Sequence, residues 1–401
     1  MLIHWMWYSL LSELSPRQKR MLLEHFSDAE EIYNTQDFSH IPELSPEMVK
    51  NLCDKDLDQA RATVRSCADA RVAVLCFQDA AYPRQLKSIA DPPMVLYYKG
   101  IIPDLETRPV IGVVGTRKAS MYGLNCAKNL SAEIAACGGL VVSGGAAGVD
   151  SMALQGAMEA GGQVVAVLGG GVDVIYPAKN KLLFAQITEN GCLLSEYPPG
   201  TPARAWQFPQ RNRIISGISN GLLVVEAPER SGALITARDA AEQGRDLFAV
   251  PGNIDVDTCV GSNQLLQEGA SAVFSGWDVV KEYEAMYPDT VQKRKPILHP
   301  EWQKNSGLVA QRPVMPMTGN DKKDIDNPTH SNYSVLDDRK DPLTEEEQAI
   351  IACLSAVPKS VDTVIAEAGL PAGRVNAVLA KLALKQIVEH HPGRLVSVKI
   401  Q

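Results

Sequence analysis

The sequence predicts an α/β chain: a doubly wound parallel sheet, with a helical segment before it and a small winged-helix unit after it. Three observations predict this. Six short apolar runs between residues 110 and 250 alternate with helical stretches, and strands apolar throughout are strands buried on both faces. Residues 103–284 hold 24 of the 30 glycines, as tight turns and close backbone approach to a ligand require. Residues 343–401 read as short helices followed by two strand-like runs joined through His391-Pro392-Gly393-Arg394, a helix-turn-helix with a wing.

Residues 1–71 read as helical. Leu10, Leu11 and Leu14, then Met21, Leu22, Leu23 and Phe26, fall at helical spacing. Ser15-Pro16 and Ser45-Pro46 are helix starts, a capping hydroxyl before a proline whose missing N–H costs nothing in the first turn. The opening Met1-Leu2-Ile3-His4-Trp5-Met6-Trp7 lacks a basic flank and a small-residue cleavage site, so it reads as a core helix rather than a signal peptide. From Val72 the period shortens. Val72–Phe77 reads as a strand, and Met94–Tyr98 as another after the Asp91-Pro92-Pro93 turn. Strands follow at Val110–Val114, Gly139–Ser143, Val164–Leu168, Gly191–Ser195, Gly221–Glu226 and Asp246–Val250, with helices at Leu124–Ala136, Met152–Ala160, Asn180–Glu189 and Ala233–Gln243. Residues 285–342 contain seven prolines, polar runs such as Asn320-Asp321-Lys322-Lys323-Asp324 and no sustained apolar period, which is the composition of a disordered linker. In the tail, Thr344-Glu345-Glu346-Glu347 is a capping-box opener. Helices are expected at 345–356, 360–367 and 371–385, and strands at Ile387–Glu389 and Leu395–Val398. The expected domains are therefore 1–71, 72–284 and 343–401, with 285–342 between the last two.

Composition excludes several functions. With 39 Lys and Arg against 47 Asp and Glu, the formal charge is −8. That rules out a histone-like polycation, but not a local basic pocket, because a field depends on where charges sit. No apolar run is long enough for a membrane span. The eight cysteines are scattered without a C-x-x-C pair, so they read as reduced core residues rather than a zinc or redox site. A cytoplasmic location is expected.

Several strands end in turns suited to an anion: Gly115-Thr116-Arg117-Lys118, Ser143-Gly144-Gly145-Ala146-Ala147-Gly148, Gly169-Gly170-Gly171-Val172-Asp173, and Glu226-Ala227-Pro228-Glu229-Arg230-Ser231-Gly232. In an open α/β sheet, ligands sit beyond the carboxyl ends of the strands, where bare N–H groups at helix N-termini favour phosphate. The usual nucleotide fingerprints are missing: Gly144–Gly148 is not G-x-G-x-x-G, and G-x-x-x-x-G-K-[ST] occurs nowhere. Neither NAD nor ATP is expected as a cofactor. Arg117, Lys118, Lys179, Lys181, Arg211 and Arg213 flank these turns, and cations spaced along a crevice suit a phosphodiester backbone better than one mononucleotide. Phe184, one turn after Lys181, offers a face for base stacking, though it reads equally well as core. Arg117 likewise reads as a surface charge and Arg211 as the partner of an internal carboxylate. None of the seven histidines lies in residues 103–284. General acid–base work there would fall to Asp150, Asp173, Glu196 or Glu226, each of which also reads as a helix cap or an arginine's partner. No G-x-S-x-G elbow or metal-ligand spacing is present.

The runs Val114–Ser120, Ser143–Gly145, Val167–Pro177 and Phe208–Gly217, followed by Ser231–Ala237, Gly244-Arg245 and Val250-Pro251-Gly252, resemble the DNA-processing protein A (DprA/Smf) family in order across residues 72–284. The resemblance implies an extended Rossmann-like domain between a SAM-like N-terminal domain and a winged-helix C-terminal domain. It implies a homodimer that binds incoming single-stranded DNA during natural transformation, protects it from nucleases and loads the RecA recombinase. It implies no catalysis, no cofactor and no metal. Position by position, Arg117 and Lys181 resemble the family's phosphate-contacting cations, and Phe184 lies where a base is contacted. The nucleic-acid-binding set expected here is Gly115, Arg117, Lys118, Ser143, Gly144, Gly145, Gly169, Gly170, Lys181, Phe184, Arg211, Asn212, Arg213, Ser231, Gly232 and Thr236. Two departures stand out: Leu154 occupies a position where the family usually has histidine, and the 285–342 linker is not a general family feature. Two other readings compete. One is a nucleotide-phosphate hydrolase using the Arg230–Ala237 turn, which lacks the catalytic glutamate of that class. The other is a duplex reader in the tail, with Arg374, Asn376, Lys381 and Lys385 on its third helix; six basic and six acidic residues in 343–401 leave a protein-contact role equally open. Gly261–Ala270, with Leu265 and Leu266, suits self-association and core packing alike.

Overall fold

Capping hydroxyls and carboxylates set where the first helices begin. Ser15 opens α2 (Pro16–His25) with a reciprocal pair: its side chain accepts from the Gln18 N–H, and Gln18 accepts from the Ser15 N–H at 2.9 Å. Asp28 caps α3 (Ala29–Asn34) by accepting from Glu30 and Glu31 at 2.9 and 2.8 Å, and Ser45 caps α4 (Pro46–Cys53). The helix before them, α1 (Leu2–Leu10), buries Trp5, Met6, Trp7 and Tyr8 in succession. A helix apolar on every side is one enclosed on every side. The Tyr97 hydroxyl reaches the Met6 sulfur at 3.0 Å, so the helices through α5 (Asp58–Asp69) share a core with the sheet that follows.

The computed structural model describes residues 1–294, and in the tail 345–355, 359–370, 387–391 and 395–398, with 374–375, 378–379 and 382 between them. These residues form two compact units, divided within 295–344.

The first unit carries a nine-stranded sheet in the order β1-β2-β6-β5-β4-β3-β7-β8-β9. Strands β1 (Ala73–Cys76) and β2 (Val95–Gly100), with the one-turn α6 (Arg84–Lys87) between them, form an antiparallel edge on β6. From β3 onward the pairing is parallel: β3 (Val110–Val114), α7 (Met121–Ala136), β4 (Leu140–Ser143), α8 (Val149–Glu159), β5 (Val164–Leu168), α9 (Lys181–Asn190) and β6 (Gly191–Ser195) build outward on one side. The chain then returns to the other side of β3 through α10 (Gln207–Gly217), β7 (Gly221–Val224), α11 (Gly232–Glu242), β8 (Asp246–Ala249), α12 (Val260–Gln267), β9 (Ser271–Ala272) and α13 (Gly276–Val280). Strand order therefore reverses between β3 and β7, the place where open α/β sheets bind ligands.

Every residue of β3 to β7 is buried. Successive residues enter opposite layers, Ile111 and Val113 into one core and Val110 and Val114 into the other, the period of two that a pleated strand imposes. Helix α10 departs from the sequence expectation, which placed no helix in the Phe208–Gly217 run. Residues 211–217 are buried without a break, so no amphipathic stripe marks it. Leu154 is fully buried in α8. Leu265 is buried in one core and Leu266 packs against it, which accounts for the apolar side of α12. Residues 285–294, assigned to the linker by composition, lie against the end of α7: Val291 is buried and the Gln292 N–H donates to Cys137 O at 3.2 Å. The rest of the expected disordered linker lies outside the described residues.

In the tail, helices Glu345–Ala352 and Val361–Ala368 join a three-stranded antiparallel sheet of Lys359–Ser360, Leu395–Val398 and Val388–His391. Ser360 caps the second helix and Gly369, at φ +63°, ends it. Ile350, Val364, Leu379, Leu382 and Val396 form its core. Thr344 of the expected capping box, and Asn376, Lys381 and Lys385 of the expected third helix, lie outside the described residues. Among the described residues no helix is long and apolar enough to cross a membrane.

Candidate nucleic-acid interface

Beyond the carboxyl ends of β3, β4, β5 and β7 lies an open cleft of about 550 Å³. A deeper recess of about 100 Å³ shares Arg117, Ala146, Tyr176, Ala203 and Phe208 with it. The cleft takes Gly115–Lys118 from the turn after β3, Asp150 from α8, Arg211 and Asn212 from α10, and Arg230–Ala233 with Thr236 from the start of α11. Gly144, Gly169 and Gly170 line the recess.

The turn after β3 is held from below. A Cβ on Gly115 would lie 2.5 Å from Val149 and 2.9 Å from Glu226 O, and the Thr116 N–H donates to that same carbonyl at 2.7 Å. The fully buried Glu226 carboxylate accepts from the Ser120 N–H at 3.1 Å and the Ser120 hydroxyl at 2.9 Å, and also from the Thr258 hydroxyl. Arg117 and Lys118 are left exposed on a fixed turn. The Arg117 guanidinium sits 4.8 Å from the centre of the Phe208 ring, and Tyr176 lies 5.5 Å on the ring-to-ring scale from Phe208. Cation and rings thus form one face.

The turn after β4 is built around Arg211. This side chain is buried, and its Nη1 donates to Gly144 O at 2.5 Å and to Val167 O, tying the ends of β4 and β5. A Cβ on Gly144 would come within 2.6 Å of both Arg211 Nη2 and Asp150 Oδ2. Burial pulls Arg211 down to about 10 and pushes Asp150 up, each countered by the other's charge. Burial thus favours the neutral form of Asp150, while Arg211 keeps its charge at neutral pH.

The expected site residues separate into two groups. Gly115, Arg117, Lys118, Arg211, Asn212, Ser231, Gly232 and Thr236 line the cleft, and Gly144, Gly169 and Gly170 line its recess. Ser143, Gly145, Lys181, Phe184 and Arg213 line neither. The Ser143 hydroxyl donates to Val113 O within the sheet at 2.6 Å. Gly145, at φ +63°, accepts from Asn180 Nδ2 at 2.9 Å. Phe184 is buried beneath it, within 3.1 Å of where a Gly145 Cβ would stand, so its ring is core rather than a face toward the cleft. Arg213 is buried and paired with Asp91 at 2.9 Å and Glu196 at 2.8 Å, an internal tie. Lys181 is exposed at the start of α9. Sequence reasoning missed Phe208, Tyr176 and Arg230. The signal for Tyr176 and Arg230 was their place in turns past strand ends, whereas Phe208 lies in the first turn of α10.

The four carboxylates considered for acid–base work hold structure. Asp150 accepts from the Ala146 N–H at 3.3 Å, Asp173 from the Gly200 N–H at 2.8 Å, Glu196 from Arg213, and Glu226 from Ser120 and Thr258. What the cleft offers is cations, glycine backbone and aromatic rings, a set that holds phosphates and stacks bases.

Residues 73–284 match the family model for DNA recombination-mediator protein A, and residues 336–394 match the DprA winged helix domain. The DNA processing protein DprA of Bacillus subtilis is 45% identical over 201 residues, spanning 50% of this chain and 68% of that one. Protein Smf of Synechocystis sp. is 36% identical over 326 residues, spanning 79% of this chain and 77% of that one. The X-ray structure of DprA from Streptococcus pneumoniae aligns with a TM-score of 0.61 at 34% identity, over 70% of this chain and 98% of that one. On the extent of these matches, the chain belongs to the DNA recombination-mediator protein A (DprA/Smf) family.

Proposed function

We propose that this chain is a single-stranded-DNA-binding recombination mediator that protects incoming DNA during natural transformation and loads RecA onto it. The observation that carries the reading is the exposed Arg117 lying over Phe208, beside Tyr176, at the point where strand order reverses. Cations draw phosphates without reading sequence, and rings accept any base, as a mediator of unselected DNA requires. Membership of the family supports the RecA partnership and the homodimer, and the same reading places the protein in the cytoplasm. It also keeps the sequence division into 1–71, 72–284 and 343–401, with the cleft in the second segment and the linker shortened by residues 285–294, which pack against that segment. Catalysis has no part in it: Asp150 and Glu226, two of the carboxylates considered for acid–base work, hold the turns of the cleft.

The test is a mobility shift with oligothymidine. The wild-type complex weakens steeply with salt, by about 0.7 in logarithmic slope for each phosphate held. Arg117→Ala combined with Lys181→Ala abolishes the shift and leaves the unfolding midpoint in place. Undiminished binding by that variant overturns the cleft assignment.

A further inference from the structure

We propose that Trp206 is a second stacking station for a nucleobase, one strand beyond the cleft. The inference rests on the single-stranded-DNA reading above and extends its track.

The carboxyl edge of the sheet presents its strands in the order β7, β3, β4, β5, β6, neighbours about 4.8 Å apart. Past these ends stand, in turn, Arg230, then Arg117 and Lys118, then Gly144 over Arg211, then the turn of Tyr176. The next residues along that edge follow β6: Tyr197, and Trp206 at the N-cap of α10. Trp206 is 54% exposed, more than Tyr176 at 48%. Its neighbour Ala205 lines the cleft, and Phe208, two residues on, lies under Arg117. The Tyr197 ring meets the indole edge-on, at 6.3 Å and 85°, and the Tyr197 hydroxyl is fixed by Gln210 at 3.0 Å. A large apolar ring held out in water by an edge-on neighbour is costly to leave there. On a track that already offers cations and rings, its ligand is the next base of the strand.

The experiment titrates the full chain with labelled oligothymidines of increasing length, comparing wild type, Trp206→Ala and Trp206→Phe. An abasic strand of the greatest length serves as control. Beyond a threshold length, Trp206→Ala binds about 5- to 150-fold more weakly than wild type, the range that loss of one stacked base produces. Trp206→Phe recovers most of that loss. Below the threshold, and on the abasic strand, the three proteins bind alike. Wild-type indole emission changes on binding long strands, and Trp206→Phe loses that change. Equal binding of long strands by Trp206→Ala and wild type overturns the inference, as does an equal loss on the abasic strand. If binding still requires Arg117 in that case, the cleft reading survives and only the second station falls. If wild type fails to bind, or Arg117→Ala binds undiminished, both fall together.

Discussion

Removing the Arg213 guanidinium leaves Asp91 and Glu196 without their shared partner. Stranding a buried charge costs about 3–5 kcal/mol. Here the Asp91 side chain is 42% exposed and Glu196 23%, so water recovers part of the loss and the cost falls to about 2 kcal/mol. For a domain of this size that is about 4–8 °C in melting temperature. Arg213→Ala should therefore melt earlier by that amount, followed by circular dichroism, while its oligothymidine salt slope matches wild type. Arg117→Ala should do the reverse, with stability within about 0.5 kcal/mol of wild type and the slope reduced by about 0.7. An Arg213→Ala protein that keeps its melting temperature and loses slope would refute this division between a cation that holds the fold and one that holds the strand.

Three further outcomes follow from the same geometry. Phe184→Ala opens a cavity beneath Gly145 and destabilises by about 3–5 kcal/mol, read as the urea midpoint, with no change in salt slope. Glu226→Gln replaces an acceptor of three hydrogen bonds with a group that must also donate; it costs about 1.5–3 kcal/mol and weakens oligothymidine binding by loosening the turn that carries Arg117. Burial, with Glu242 and Asp91 nearby, pushes Asp239 up to about 6. The folded chain then holds that proton more tightly than the unfolded chain, whose value is about 3.9, so this contribution to stability is present at low pH and is lost as pH rises through 6. Asp239→Asn should melt above wild type at pH 7.5 and level with it near pH 4; equal melting at pH 7.5 would contradict that origin of the shift.

How much of this was legible beforehand depended on whether a residue's neighbours were local. The parallel strands were readable because runs such as Val164–Leu168 are apolar throughout, which only burial on both faces explains. The position of the cleft followed from the turns at their ends. The roles of individual arginines did not. Arg211 and Arg213 lie two apart on one helix, yet one reaches carbonyls of β4 and β5 while the other reaches Asp91 and Glu196. Neither set of partners is near in sequence. The aromatic face was missed for the same reason. Phe184 carried the helical spacing that suggested a site next to Lys181, but the fold turned it under Gly145. Phe208 and Tyr176, 32 positions apart in the chain, meet only once α10 is laid across the end of β5. The buried α10 gave no periodic signal at all.

The central claim, that the strand lies in the cleft, is tested most directly by photocross-linking an iodouracil-substituted oligothymidine to the full chain and mapping the adducts by mass spectrometry. Adducts on Tyr176 or Phe208, with their yield falling in the Arg117→Ala protein, are the predicted result. Adducts confined to residues 1–71 or to the tail after residue 343, with none in the cleft, would contradict it.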